Sequence, residues 1–138
     1  MISAVKTYLA SYTGLKSGAP IFIDQLDPKN PNYAIISLAG DRVLERYLDG
    51  SSVRQFVFAV RSMESTADEL ERIETSGFYE ALADWFESQT DLGVLPTLAS
   101  GKTCTALRAE GWAYLYETSQ SSTGIYQIQC ILEYEQEA

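Results

Sequence analysis

Apolar residues recur at three- and four-residue spacing over the first dozen positions, at Ile2, Val5, Leu9 and Tyr12, which predicts a short amphipathic helix that stops at Gly14. After Pro20 the run IFIDQL reads as a short strand. The turn formers Asp27-Pro28-Lys29-Asn30-Pro31-Asn32 separate it from a second strand, Tyr33 to Leu38. Arg42 to Leu48 and Val53 to Arg61 flank Asp49-Gly50-Ser51-Ser52, and Asp-Gly readily supplies the positive φ of a tight turn, so a β-hairpin is predicted. On its second arm Phe56, Phe58 and Val60 point one way, and Gln55, Val57 and Ala59 the other. One face is strongly apolar and the opposite one only mildly polar, so that second face is also expected to be covered.

The period then changes from two to about 3.6. Thr66 and Glu69 have the spacing of a capping box, in which each side chain satisfies the other's free backbone N–H, and a helix is expected to begin there. Leu70, Ile73, Phe78, Leu82, Trp85 and Phe86 give it an apolar stripe. Asp68, Glu69, Glu71, Glu74, Glu80, Asp84 and Glu87 cover the rest, and Ser76-Gly77 is expected to bend or break it. Asp91 to Lys102 reads as a crossover loop. Leu107 to Glu117 and Ile125 to Glu135 follow as two long strands around the polar loop Thr118 to Gly124. Tyr126, Ile128, Cys130, Leu132 and Tyr134 alternate with Gln127, Gln129 and Glu133, the pattern of a half-buried antiparallel strand. On the partner strand Trp112, Tyr114 and Tyr116 lie opposite Leu107, Ala109, Ala113 and Leu115, so both of its faces are apolar. The predicted fold is α+β in one domain, residues 1–138: a mostly antiparallel sheet of about five to six strands with an N-terminal and a central helix packed on it.

Composition narrows what such a domain can do. The 138 residues are 46% apolar and 21% charged, an ordinary globular balance. A net charge of −9 repels phosphate over long range, so tight nucleic-acid binding is not expected, although DNA could slide past such a surface without sticking. No apolar run approaches the ~20 residues of a membrane span, and no secretory signal is visible, which makes the cytoplasm the expected site of synthesis. Cys104 and Cys130 are too few for a disulfide framework and wrongly spaced for zinc, so both are expected as thiols.

The chain contains no histidine, which removes the commonest general base, the usual serine and cysteine triads and most transition-metal sites. Gly101-Lys102-Thr103 resembles the end of a phosphate-binding loop, but that pattern needs glycine where Pro96 stands. Asp24 and Asp27 offer too few oxygens for a hard cation and suit a turn better. Glu133, Glu135 and Glu137 read as a solvated acidic rim. No catalytic, cofactor-binding or metal-binding residue is therefore nominated. Aromatic enrichment on the last two strands, at Trp112, Tyr114 and Tyr116, with Arg54 and Arg61 nearby, points instead to a protein interface. Arg54 and Arg61 are seven residues apart, so they should face opposite sides of the strand and divide between intra-subunit and inter-subunit acidic partners.

Three blocks, YLDGSSVRQFVFAVRSMES, IETSGFYEALADWFESQ and YQIQCILEYEQ, resemble the small tail terminator proteins, of minor-capsid type, of long-tailed bacteriophages of Gram-positive hosts. The resemblance covers most of the chain from Tyr47 onward, and before that only the order of elements. It implies a structural, non-enzymatic virion protein without cofactors, assembled in the host bacterial cytoplasm. Such a subunit forms a ring, usually a hexamer, at the head-proximal end of the tail, ends tail-tube polymerisation and offers a surface for head joining. Its implied partners are further copies of itself, the major tail-tube protein and the head-completion connector, with DNA passing through unread and no membrane involved. Asp49, Gly50, Ser51 and Ser52, and the loop Ser119, Gln120, Ser121 and Ser122, lack apolar anchors and are the expected docking loops. A head-completion or stopper protein of the same particle is the nearest alternative. A small-molecule-binding module, with the aromatic hairpin as a pocket wall, is the alternative of a different class.

Overall fold

A computed structural model describes residues 1–15, 19–26, 32–66, 68–118 and 123–138. The elements are α1 (Ile2–Leu9), β1 (Ile21–Ile23), β2 (Tyr33–Ser37), β3 (Val43–Arg46), β4 (Ser52–Ser65), α2 (Glu69–Leu92), β5 (Lys102–Thr118) and β6 (Thr123–Gln136). The strands form one six-stranded sheet in the order β1-β2-β4-β6-β5, with β3 also pairing with β4. All pairs are antiparallel except β1 with β2. This is the α+β architecture that the change of period predicts.

The alternation along β4 and β6 sets the register, because slipping either strand by one residue would turn its apolar set outward. Phe58 lies opposite Cys130, Val60 opposite Ile128, and Phe56 opposite Leu132. On that face of the sheet they meet Tyr79, Leu82 and Phe86 of α2, while Val5 and Leu9 of α1 close one end of the same core. Burying this face gives both helices a stability that neither would have alone in water. Tyr8 and Tyr12 pack on Trp85 with ring centroids 5.1 and 4.7 Å away, and the Tyr8 hydroxyl donates to the Val94 carbonyl at 2.7 Å. α1 ends at Leu9, short of Gly14, because the chain tightens into a turn there: the N–H groups of Ser11 and Tyr12 donate to the carbonyls of Tyr8 and Leu9.

α2 departs from expectation at its start and middle. Its N-cap is Asp68, whose carboxylate accepts from the Glu71 N–H at 2.8 Å, whereas Thr66 uses its carbonyl to accept from Arg72 Nη1. The capping box predicted at Thr66 and Glu69 does not form, since β4 continues to Ser65 and leaves too little chain to begin the helix there. Asp68→Ala should cost about 1 kcal/mol and Thr66→Ala much less, as measured by urea unfolding. Ser76-Gly77 does not break the helix, which runs unbroken from Glu69 to Leu92 and ends on Gly93 in the left-handed region at φ 74°. Leu70 and Ile73 remain exposed, because the buried stripe begins only at Thr75.

The opposite face of the sheet is covered locally. Val57 and Ala59 are buried there. A Cβ at Gly40 would sit 2.6 Å from Val57 Cγ2, so the chain before β3 presses on that face where only glycine fits.

Candidate protein interfaces

The expected interface residues divide between two surfaces. Arg54 lies opposite Tyr134 and Arg61 opposite Gln127 on β6, so the two arginines do face opposite sides of β4. Within the subunit their partners are neutral: Arg54 Nε donates to Ser52 Oγ at 3.0 Å, and Arg61 Nε to Gln127 Oε1 at 2.6 Å. The Arg61 guanidinium also stacks 4.2 Å from the centroid of the Tyr116 ring, while Gln127, itself buried, donates to the Tyr114 hydroxyl. Arg61, Gln127, Tyr114 and Tyr116 thus form one polar and aromatic cluster over the face that carries Val57 and Ala59.

Trp112 lies apart from that cluster. β5 shifts register between Cys104 and Ala106, between Glu110 and Tyr114, and between Leu115 and Glu117, and Gly111 permits the middle shift at φ 72°. Strict alternation groups Trp112 with Tyr114 and Tyr116, whereas the bulge turns Trp112 toward α2 and leaves it 77% exposed.

Trp112 stands at the mouth of a cleft of about 750 Å³ between α2 and β5. Glu80, Asp84, Glu87 and Asp91 form one wall, at spacings of four, three and four along the helix, which keeps them in one row. Leu107, Ala109, Ala113 and Ile128 supply apolar surface. Arg108 at the rim is already held by Glu110 at 3.0 Å and Glu133 at 2.7 Å, so Glu133 is not part of a free acidic rim. β5 is a terminal strand, and at Leu107 its outer backbone edge is closed by Thr90, whose hydroxyl accepts from the Leu107 N–H and shares its one proton between the Leu107 and Phe86 carbonyls, 3.0 and 2.9 Å away. Thr90→Val would orphan the Leu107 N–H and remove the shared donor from its carbonyl, and should cost about 1–3 kcal/mol in urea unfolding.

The Asp49-Gly50-Ser51-Ser52 turn is closed by its own hydrogen bonds. Asp49 Oδ1 accepts from the Ser51 N–H at 2.9 Å and from its hydroxyl at 2.5 Å, and Gly50 sits at φ 92°. The Ser51 hydroxyl and then its N–H hold the Asp49 carboxyl below its ordinary range. Ser119, Gln120, Ser121 and Ser122 lie outside the described residues, as do Asp27 and the rest of the Pro-rich turn through Pro31. Asp24, at φ 64°, accepts from the Ser37 N–H at 3.4 Å and donates its own N–H to Ile35, which is the turn role that suits it. Among the described residues no group of three or more His, Cys, Asp or Glu could hold a metal ion, and no helix is long and apolar enough to cross a membrane. Both cysteines are free thiols; burial pushes Cys104 up to about 11 and Cys130 higher still.

No protein-family model matches this chain, and no curated protein does. Among solved structures 18 chains match. One aligns over 99% of this chain and 89% of its own, with a TM-score of 0.46 and 11% identity, a likeness too weak to carry a functional argument.

Sequence reasoning missed three residues of these surfaces. Gln127 and Thr90 act through partners distant in sequence and leave no local mark. Asp91 could have been found, since it continues the row of Glu80, Asp84 and Glu87 by one more helical turn.

Proposed function

We propose that this protein is a structural subunit of a long-tailed phage virion, of tail-terminator type: a ring-former at the head-proximal end of the tail that stops tube growth and receives the head connector. The observation that carries this reading is the sheet's pair of unfinished margins. β5 at one side bears exposed Trp112 and Leu115, and β3 at the other bears exposed Leu44, with Leu48 in the turn that follows it. Strands whose outer edges are open over part of their length and bear exposed apolar side chains promote uncontrolled association unless a defined partner covers them. Two different margins on one subunit suit head-to-tail contacts that close into a ring. The likeness of the blocks from Tyr47 onward to tail terminators supplies the particle, and the acid balance suits a conduit through which DNA slides.

Native mass spectrometry of the purified chain, with electron microscopy of mixtures with the tail-tube protein, is the direct test. Closed rings seated on tube ends are expected. A chain that stays monomeric and neither caps nor binds tubes overturns the reading. The cleft between α2 and β5 is the feature a small-molecule-binding module would use. A ligand at 100 times its dissociation constant would then add about 2.7 kcal/mol of stability in a thermal-shift screen.

A further inference from the structure

We infer that the α2–β5 cleft is the socket for the β3 hairpin of a second copy of this chain, and that this head-to-tail contact builds the assembly. The inference rests on the ring reading above and assigns its interface. The socket has the acidic wall Glu80, Asp84, Glu87 and Asp91, with apolar surface around Leu107 and exposed Trp112 at its mouth. Its rim cation, Arg108, is engaged by Glu110 and Glu133 and does not neutralise the wall. A hairpin with cations and apolar side chains fits such a site.

The chain carries that hairpin on the far side of its own sheet. β3 with the residue before it and the turn after it presents Arg42, Leu44, Arg46 and Leu48 to solvent, and Leu48 is fully exposed. Among the described residues neither Arg42 nor Arg46 makes an ion pair. Glu45, the acidic residue between them, instead accepts a hydrogen bond from the Tyr47 hydroxyl at 3.1 Å. Among the described residues β3 pairs with β4 alone, which leaves its outer edge open, as the outer edge of β5 is beyond the Thr90 clasp. Since the order across the sheet from the hairpin to the cleft is β3-β4-β6-β5, socket and hairpin occupy opposite sides of one subunit. They cannot engage each other within a chain. Between chains the contact is heterologous and repeats, which gives a ring if the rotation closes. Arginine suits the hairpin role, because its planar fork can meet a carboxylate with two hydrogen bonds.

The test is a charge exchange read by sedimentation velocity and native mass spectrometry at low and high salt. Arg42→Glu with Arg46→Glu alters the hairpin, and Glu80→Lys with Asp84→Lys alters the socket; all four positions are exposed, and circular dichroism checks that each variant folds. Each double variant alone should associate at least tenfold more weakly than wild type, and wild-type association should itself weaken with salt. An equimolar mixture of the two variants should recover assembly, because each hairpin then finds a socket of opposite charge on the other variant. The quadruple variant should recover it in a single chain. If wild type assembles and both double variants assemble equally well, this interface is wrong while the ring reading stands. If the double variants fail but neither the mixture nor the quadruple variant recovers, charge pairing of hairpin with socket is wrong. A wild-type chain that remains monomeric overturns both the interface and the ring.

Discussion

Phe58→Ala should cost about 3–5 kcal/mol of folding free energy, a large part of the ~5–15 kcal/mol that holds a domain of this size together. Phe58 is fully buried at the centre of β4, opposite Cys130 and stacked on Phe56 with ring centroids 5.6 Å apart. The loss has two parts: the apolar surface of the ring returns to water, and the cavity left behind collapses poorly between two paired strands and the core beneath them. Urea unfolding followed by circular dichroism measures it, with Leu48→Ala as the control. Leu48 is fully exposed on the single subunit, so at dilutions where the chain is monomeric its truncation should leave stability within about 0.5 kcal/mol of wild type. A Phe58→Ala variant that lost less than about 1 kcal/mol would contradict the core assignment.

The contrast between Phe58 and Leu48 shows where sequence reasoning succeeds. Period-two patterning identifies Phe58, Val60 and the β6 residues from Tyr126 to Tyr134 because burial on one face imposes it, and Asp49-Gly50 marks the hairpin because a turn with positive φ imposes that. Burial requirements are local in sequence and leave a trace. Where two local signals overlap, the tie is broken elsewhere in the molecule. Thr66-x-x-Glu69 reads as a helix start, but Glu71 follows Asp68 at the same spacing, a competing pattern that sequence reasoning passed over, and the length of β4 decides for Asp68. Leu70 and Ile73 fit the helical period as well as Leu82 does, yet they lie where α2 has no core side chain to meet. The candidate interfaces were legible by residue type more than by position. Aromatic enrichment on β5 was visible, but its bulges separate Trp112 from Tyr114 and Tyr116. The cleft depends on how α2 lies along β5, which no stretch of sequence encodes alone. Only the acidic spacing on α2 hinted at it.

Stability should fall steeply above about pH 9, by at least about 4 kcal/mol at pH 11 relative to pH 8, because two fully buried acids cannot ionise in the folded chain and the partly buried Cys104 thiol resists ionisation as well. Burial raises the Cys130 thiol from its ordinary 9.0, and burial raises the Tyr79 hydroxyl from its ordinary 10.0 even though the Ser62 hydroxyl beside it, at 2.6 Å, pulls the other way. Both groups sit under the sheet in the core, and the Tyr79 hydroxyl also reaches the Tyr126 carbonyl at 3.3 Å. Below pH 9 they are protonated in the folded and unfolded chains alike and contribute no pH dependence. Above their unfolded values the unfolded chain releases protons that the native chain keeps, so unfolding is favoured by about 1.4 kcal/mol per pH unit for each group. Cys130 acts over roughly two units and Tyr79 over one by pH 11, giving the figure above. Urea unfolding at pH 8, 9, 10 and 11 under reducing conditions measures the slope, and Cys130→Ala separates the contributions. That variant should decline more shallowly than wild type between pH 9 and 10, where the partly buried Cys104 thiol still contributes, and should keep the tyrosine's share above pH 10. A wild-type curve as stable at pH 11 as at pH 8 would place Tyr79 and Cys130 outside the core.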